Sequence, residues 1–310
     1  MAAYDQAKRL YERLVLNGQE QLEADLAALC RCKASVHEAS DDFPGALAEY
    51  DQAIAIGERL VNQQGHCELA SNLVMAYLSK ANWVYSQGNP RAAAALCDRA
   101  IAAADRLINQ EGHGELVNHL AVAYMNKAAA ISFLGDNQGA AALYDRGIAI
   151  QEWLVNAAGR RELDGALAAA HMSKATAVCS QGDLRGAKTL YNQTIEILGR
   201  LVNQAGCREL ANGLAQAYLG MGMVLLALGD KVGSLPFYNW AIAIRERLVN
   251  QEGRCELAND LAGDYAAKAG AFAARGEYLE ATRTSSATIV PRGSGRNSGA
   301  WLWGRSAAAP

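Results

Sequence analysis

The chain has 310 residues, 51% of them hydrophobic, and 29 Lys and Arg stand against 32 Asp and Glu for a formal net charge of −3. With no long run of either sign, it offers no electrostatic footprint for nucleic acid or an anionic membrane. No apolar run reaches the roughly 18 residues of a spanning helix, the start (Met1-Ala2-Ala3-Tyr4-Asp5-Gln6) lacks the basic and apolar regions of a signal peptide, and seven Cys, an odd number, read as reduced thiols of a cytoplasmic protein.

The first helix already repeats a later one. Tyr4-Asp5-Gln6-Ala7 through Glu12-Arg13-Leu14-Val15 matches Tyr50-Asp51-Gln52-Ala53 through Glu58-Arg59-Leu60-Val61, with one residue deleted near Leu16-Asn17-Gly18. Leu60-Val61-Asn62-Gln63-Gln64-Gly65 then returns as Leu107-Ile108-Asn109-Gln110-Glu111-Gly112, Leu154-Val155-Asn156, Leu201-Val202-Asn203-Gln204 and Leu248-Val249-Asn250-Gln251-Glu252-Gly253. The starts 60, 107, 154, 201 and 248 are 47 residues apart. A fixed period of this size marks a repeat array in which each unit touches mainly its neighbours.

The third unit shows the grammar. Glu115 to Phe133 places Leu116, Leu120, Tyr124, Ala128 and Ile131 on one helical face, and we term this helix A. Gly135 accepts the left-handed backbone that ends it, and Asp136 can cap the next helix. That helix, B, runs from about Gly139 to Val155 and buries Ala140, Leu143, Tyr144, Ile148 and Leu154. Asn156 and Gly159 are expected to stop it, as Asn62, Asn109, Asn203 and Asn250 do in the other units. The A-to-B turns recur as Asp41-Asp42, Gly88-Asn89, Gly135-Asp136, Gly182-Asp183, Gly229-Asp230 and Gly276-Glu277, which gives six A helices.

Small residues recur where A and B must cross: Ala34, Ala81, Ala128, Ala175, Gly222 and Ala269 on A, and Ala46, Ala93, Ala140, Ala187, Ser234 and Ala281 on B. An aromatic recurs on B at Tyr50, Tyr144, Tyr191 and Tyr238, with Cys97 in the second unit. Tyr218-x2-Met221-Gly222-x2-Leu225, then Ser234-x3-Tyr238-x2-Ala241, resembles the tetratricopeptide repeat (TPR) pattern W-x2-L-G-x2-Y, then A-x3-F. The resemblance covers roughly residues 1–290. Two features depart from the family: the period is 47 rather than about 34, and the Pro that closes each unit is missing. The resemblance implies an all-α solenoid of stacked antiparallel helix hairpins, a TPR-like right-handed superhelix.

It also implies a concave surface lined by helix A that holds a peptide or partner helix. The corresponding positions are Met75, Leu78, Asn82 and Tyr85 in the second unit, Val122, Met125, Asn126, Ala129 and Phe133 in the third, Met172, Ser173 and Thr176 in the fourth, and Leu219, Met223 and Leu226 in the fifth. This reads as an apolar, Met-containing strip that suits an amphipathic helix. The competing reading buries the same residues against the next unit. Asn82 and Asn126 match the two Asn of a carboxylate clamp, but its basic positions hold Leu78, Ala169 and Ser173, and a carboxylate needs cations to offset its desolvation.

Lys33, Lys80, Lys127, Lys174 and Lys268 form a ladder, read here as a solvated helix face with stems packed on neighbours. Cys30 and Cys32 point about 200° apart on one helix, and His66, Cys67 and His113 lack further ligands, so no metal and no cofactor is expected. No nucleophile elbow, phosphate loop or paired-carboxylate motif is present, so the expectation is a protein-interaction scaffold and not an enzyme. The alternatives are a self-associating array, stacking through uncapped ends, and the regulatory arm of a larger protein. Residues 291–310, rich in Gly, Ser and Arg, read as a disordered or foreign tail, and the chain as a piece of a longer array.

Overall fold

A computed structural model describes residues 1–285; the expectations for 287–290 and for the 291–310 tail lie outside the described residues. Among the described residues there are thirteen α-helices and no strand: α1 (Ala2–Leu16), α2 (Glu23–Glu38), α3 (Phe43–Glu58), α4 (Ala70–Ser86), α5 (Pro90–Glu111), α6 (Val117–Phe133), α7 (Asn137–Asn156), α8 (Asp164–Ser180), α9 (Leu184–Asn203), α10 (Ala211–Ala227), α11 (Lys231–Asn250), α12 (Ala258–Ala274) and α13 (Tyr278–Ser285). The A helices α4, α6, α8, α10 and α12 each open 47 residues after the last. The chain is an α-solenoid of antiparallel hairpins.

Each hairpin turns the same way. Gly88, Gly135, Gly182, Gly229 and Gly276 hold φ between 76° and 94°, where a Cβ is strained. In the first unit the position is Asp41, which takes φ 55° as the one non-glycine residue at positive φ among those described. The next residue caps helix B. Asp136 Oδ1 accepts from the Gly139 amide at 2.8 Å, Asp183 from Gly186 at 2.9 Å and Asp230 from Gly233 at 2.8 Å.

The turns from B to the next A differ from expectation in two ways. Glu115 does not start helix A, nor do Glu68, Glu162, Glu209 and Glu256 at the same position of the other units: each stands with the following Leu in a 3-10 turn, such as Gly114–Leu116 before α6 and Arg161–Leu163 before α8. The recurring Asn residues are not left-handed terminators either. Asn156, Asn203 and Asn250 are the last helical residues of α7, α9 and α11, Asn109 lies inside α5, and Asn62 lies in a π-helical turn (Arg59–Gln63) that ends α3. The left-handed residues are the glycines beyond them: Gly65, Gly112, Gly159, Gly206 and Gly253.

The A–B crossing is as the small residues require. Ala34, Ala81, Ala128, Ala175 and Gly222 are buried, as are Ala46, Ala93, Ala140, Ala187 and Ser234 opposite them. A Cβ on Gly222 would lie 2.9 Å from the Tyr238 ring, so the close approach is real. Tyr50, Tyr144, Tyr191 and Tyr238 are buried beside these crossings, each contributing on the order of 1.5–3 kcal/mol by burial. One core cluster runs without a break from Leu26 in α2 to Ala123 in α6.

One sequence expectation fails on composition. Arg208–Ala227 is long and apolar enough to cross a membrane by length and composition. Its character has a reason within the array, because α10 buries Ala211, Leu214, Ala217, Met221 and Leu225 against the helices on either side.

Candidate interaction surface

The A helices touch one another directly, α2 with α4, α4 with α6, α6 with α8, α8 with α10 and α10 with α12, while the B helices from α3 to α11 each pack between two of them. The A helices therefore line the inner side of the array.

The residues expected on that side divide into layers. Leu78, Met125, Met172 and Leu219 share one repeat position. Leu78 is only 6% exposed and belongs to the core, Met125 and Met172 are half-buried against core clusters, and Leu219 is half-buried. Leu78 therefore belongs to the core and not to the expected binding surface. It sits beside Tyr77 and three residues before Ala81, both buried, so that row turns inward rather than to solvent. Met75, Val122 and Leu226 are also half-buried.

The exposed layer is more polar than expected. Asn82, Ser173 and Thr176 are exposed, and Met223, at 56% exposure, and Phe133 are its main apolar members. Asn126 is half-buried and donates through Nδ2 to Asn82 Oδ1 at 2.8 Å, which ties α6 to α4. Tyr85 and Phe133 also meet, edge to face with ring centroids 6.0 Å apart, and Phe133 is 68% exposed. Thr176 Oγ1 lies 3.3 Å from the Tyr191 hydroxyl, whose acidity burial suppresses by raising its pKa. The repeat position of Asn126 carries Cys32, Ser79, Ser173, Gly220 and Ala267 in other units, so this face holds neutral, small side chains where a carboxylate clamp needs cations.

The lysine ladder is not a solvated face. Lys80 pairs with Asp51, Lys127 with Asp98 at 2.6 Å, and Lys174 with Asp145. Lys33 pairs with Asp5 at 2.8 Å and with Glu49 at 2.7 Å. Lys33, Lys80, Lys127 and Lys174 therefore each reach the B helix of the preceding unit. Burial would lower the Lys33 ammonium, but Asp5 and Glu49 outweigh it and hold it above its ordinary value. Burial would raise the Glu49 carboxyl, but Lys33 and Lys8 hold it below its ordinary value. Sequence reading missed these acids. The signal was present, because Asp51, Asp98 and Asp145 repeat with the period and Asn192 replaces the next one where Met221 replaces its lysine. Lys268 instead lies 5.8 Å from the Phe272 ring.

Cys30 is buried and Cys32 exposed, and burial pushes the Cys30 thiol up to about 12. Among the described residues no group of three or more His, Cys, Asp or Glu is placed to hold a metal ion.

No protein-family model matches the sequence, and no curated protein does. Solved structures do share the fold. BtubC (BKLC) from P. vanneervenii superposes with TM-score 0.59 at 20% identity, over 84% of this chain and 97% of that one. Aspartyl phosphate phosphatase F from Bacillus subtilis gives 0.57 at 11% identity, over 87% and 71%. The nuclear import adaptor Nro1 of S. pombe gives 0.56 at 13% identity, over 86% and 94%. The fold is that of TPR-like helical-repeat solenoids.

Proposed function

We propose that the chain is a long-unit variant of the tetratricopeptide repeat, with a 47-residue period, and that it works as a cytoplasmic protein-interaction scaffold rather than an enzyme. Its inner face binds an extended peptide or partner helix. The observation that carries this reading is the row of uncharged side chains at one repeat position, Asn82, Ala129, Thr176 and Met223, exposed except for the half-buried Ala129, on a framework whose units are clamped to one another. A preformed surface of this kind binds without ordering itself, and equivalent positions on neighbouring units let one ligand gain from several weak contacts.

The test uses substitutions at exposed positions, since Leu78 is core. Displayed peptides are selected on the parent protein and then offered to Thr176→Glu/Met223→Glu, after circular dichroism has shown both proteins equally helical. Peptides that bind the parent and leave the variant place the site on the inner face. Equal binding by both removes it from there.

A second reading has its own observation. α1 buries none of its residues and exposes Leu10 and Leu16, and α13 at the other end exposes Tyr278 and Leu279. These surfaces would support end-to-end association, and sedimentation that depends on concentration and is abolished by Leu10→Glu/Leu16→Glu is the expected sign of it.

A further inference from the structure

The junction of α7 with α8 can be set against the other junctions position by position. Gln151 on α7 is fully buried, and neither its Nε2 nor its Oε1 has a hydrogen-bond partner. The same position holds Gly57, Ala104 and Leu198 in three other units, none with a polar side chain, and Arg245 in the fifth. Arg245 donates to Asn212 on α10 and to Asp264 on α12. Around Gln151 those partner positions are Asn118 on α6 and Ala170 on α8. Ala170 has no side-chain acceptor, and Asn118 Oδ1, also buried, has no partner.

His171 adds a second defect. The second, third, fifth and sixth units carry Tyr77, Tyr124, Tyr218 and Tyr265 at its position. Tyr77 donates to Glu58 and Tyr265 to Glu246, each on the preceding B helix. His171 is only 4% exposed, its Nδ1 has no partner, and its Nε2 lies 3.7 Å from the equivalent Glu152, beyond hydrogen-bond reach. Burial, and then Lys174, lower its pKa, so at neutral pH the ring is uncharged and makes no ion pair with Glu152. Among the described residues, eight buried side-chain polar atoms lack a hydrogen-bond partner, and four of them belong to Asn118, Gln151 and His171. The other four fall one each on Glu23, Arg106, His119 and Asp264. A buried polar group without a partner weakens the packed state, and water relieves it when the packing opens. The surface pair across this junction, Lys174 with Asp145, has an exposed acid and does little to hold it shut.

We propose that the junction of α7 with α8 is a hinge, at which the solenoid opens into two halves, α1–α7 and α8–α13, whose helices stay wound. Opening there separates the inner side of α6 from that of α8. Asn82 and Asn126 then move as one surface, and Thr176 and Met223 as another. That consequence rests on the inner-face reading, but the hinge itself does not.

The test places one cysteine at the same buried position of three junctions in the full chain: Ala123→Cys on α6, Ala170→Cys on α8 and Ala217→Cys on α10. All three alanines are buried. Labelling by iodoacetamide is read peptide by peptide in a mass spectrometer, so the native thiols do not interfere. A nearest-neighbour array frays from its ends, and α8 lies between the other two sites, so fraying cannot favour it. The expected result is labelling of Ala170→Cys about tenfold faster than at either flanking site, the effect of about one relieved polar group. Adding Gln151→Leu/His171→Tyr, which copies Leu198 and Tyr218 of the next junction, should slow it to the rate of the others. Where that variant does not fold, Leu198→Gln/Tyr218→His makes the converse test and should speed labelling of Ala217→Cys. Ala170→Cys labelled no faster than its neighbours overturns the proposal, and so does a rate that these exchanges leave unchanged. Backbone hydrogen exchange in α8 as fast as the opening also overturns it, because a hinge leaves the helix intact. None of these readings touches the inner-face peptide experiment, which rests on Thr176 and Met223.

Discussion

Contacts within a unit and contacts between units obey different rules. Inside each hairpin, the left-handed turn, the capping side chain and the small-residue crossing barely vary from the first unit to the fifth. Between units the contacts change along the chain. Lysine–aspartate pairs join the early units, an apolar contact with Met221 and an aromatic cluster joins α9 to α10 and α11, and a buried ion pair between Arg245 and Asp264 joins α11 to α12. The hairpin is the folding unit and tolerates little change. The junction sets how one hairpin sits on the next, and there the sequence is free to diverge.

The largest effect should come from the buried junction. Arg245 and Asp264 are both fully packed, and Arg245 Nε also donates to Asn212 Oδ1 at 3.1 Å. Asp264→Ala strands a buried guanidinium and should cost about 3–5 kcal/mol in denaturant unfolding. The preceding junction carries Leu198 and Ala217 at these positions. Arg245→Leu/Asp264→Ala copies that solution and should recover the parent's stability or exceed it.

The same pair has a pH signature. Burial pushes the Asp264 carboxyl up to about 6, against the pull of Arg245. The folded state therefore holds this proton more tightly than the unfolded chain does. Its contribution to stability is complete below the ordinary carboxylate value of 3.8 and is lost as pH rises through about 6. Asp264→Asn lacks that loss, so its melting temperature should gain on the parent's as pH rises from about 4 to 7. A constant difference across that range would mean the pair does not titrate there.

Within a hairpin the expected effects are smaller. Ala128→Leu forces a larger side chain into a fully buried crossing and should cost about 1–3 kcal/mol. An unchanged melting temperature would dissolve the claim that this crossing is tight. Asp136→Ala removes the acceptor for the Gly139 amide and should cost about 1 kcal/mol.

The division also explains what was legible in the sequence. Hairpin signals are local and repeated, so Gly135-Asp136 or Ala128 with Ala140 could be read directly, and the fold came with them. Junction signals join residues on different helices. Lys127 finds Asp98 on another helix, and one residue read alone looked like a solvated ladder. Arg245 with Asp264 occurs once, so periodicity could not reveal it. Leu78 lies in the core where the family pattern puts it at the surface, because side chains one position apart on a helix differ by about 100° and a borrowed pattern does not fix which of them turns inward.

The smallest prediction tests the junction rule most directly. Lys127 and Asp98 are partly exposed, with 26% and 56% of their side chains accessible. A double-mutant cycle with Lys127→Ala and Asp98→Ala should give a coupling of only about 0.2–1 kcal/mol, weakened by salt. At the next junction Met221 and Asn192 replace the pair, and Met221 is fully packed. Met221→Lys alone buries an unpaired ammonium and should destabilise the protein. Adding Asn192→Asp should recover part of that loss, since it restores the partner that the other units supply. If Asn192→Asp does nothing for Met221→Lys, the two positions no longer face each other. The apolar junction would then be a different geometry rather than the same geometry with different side chains.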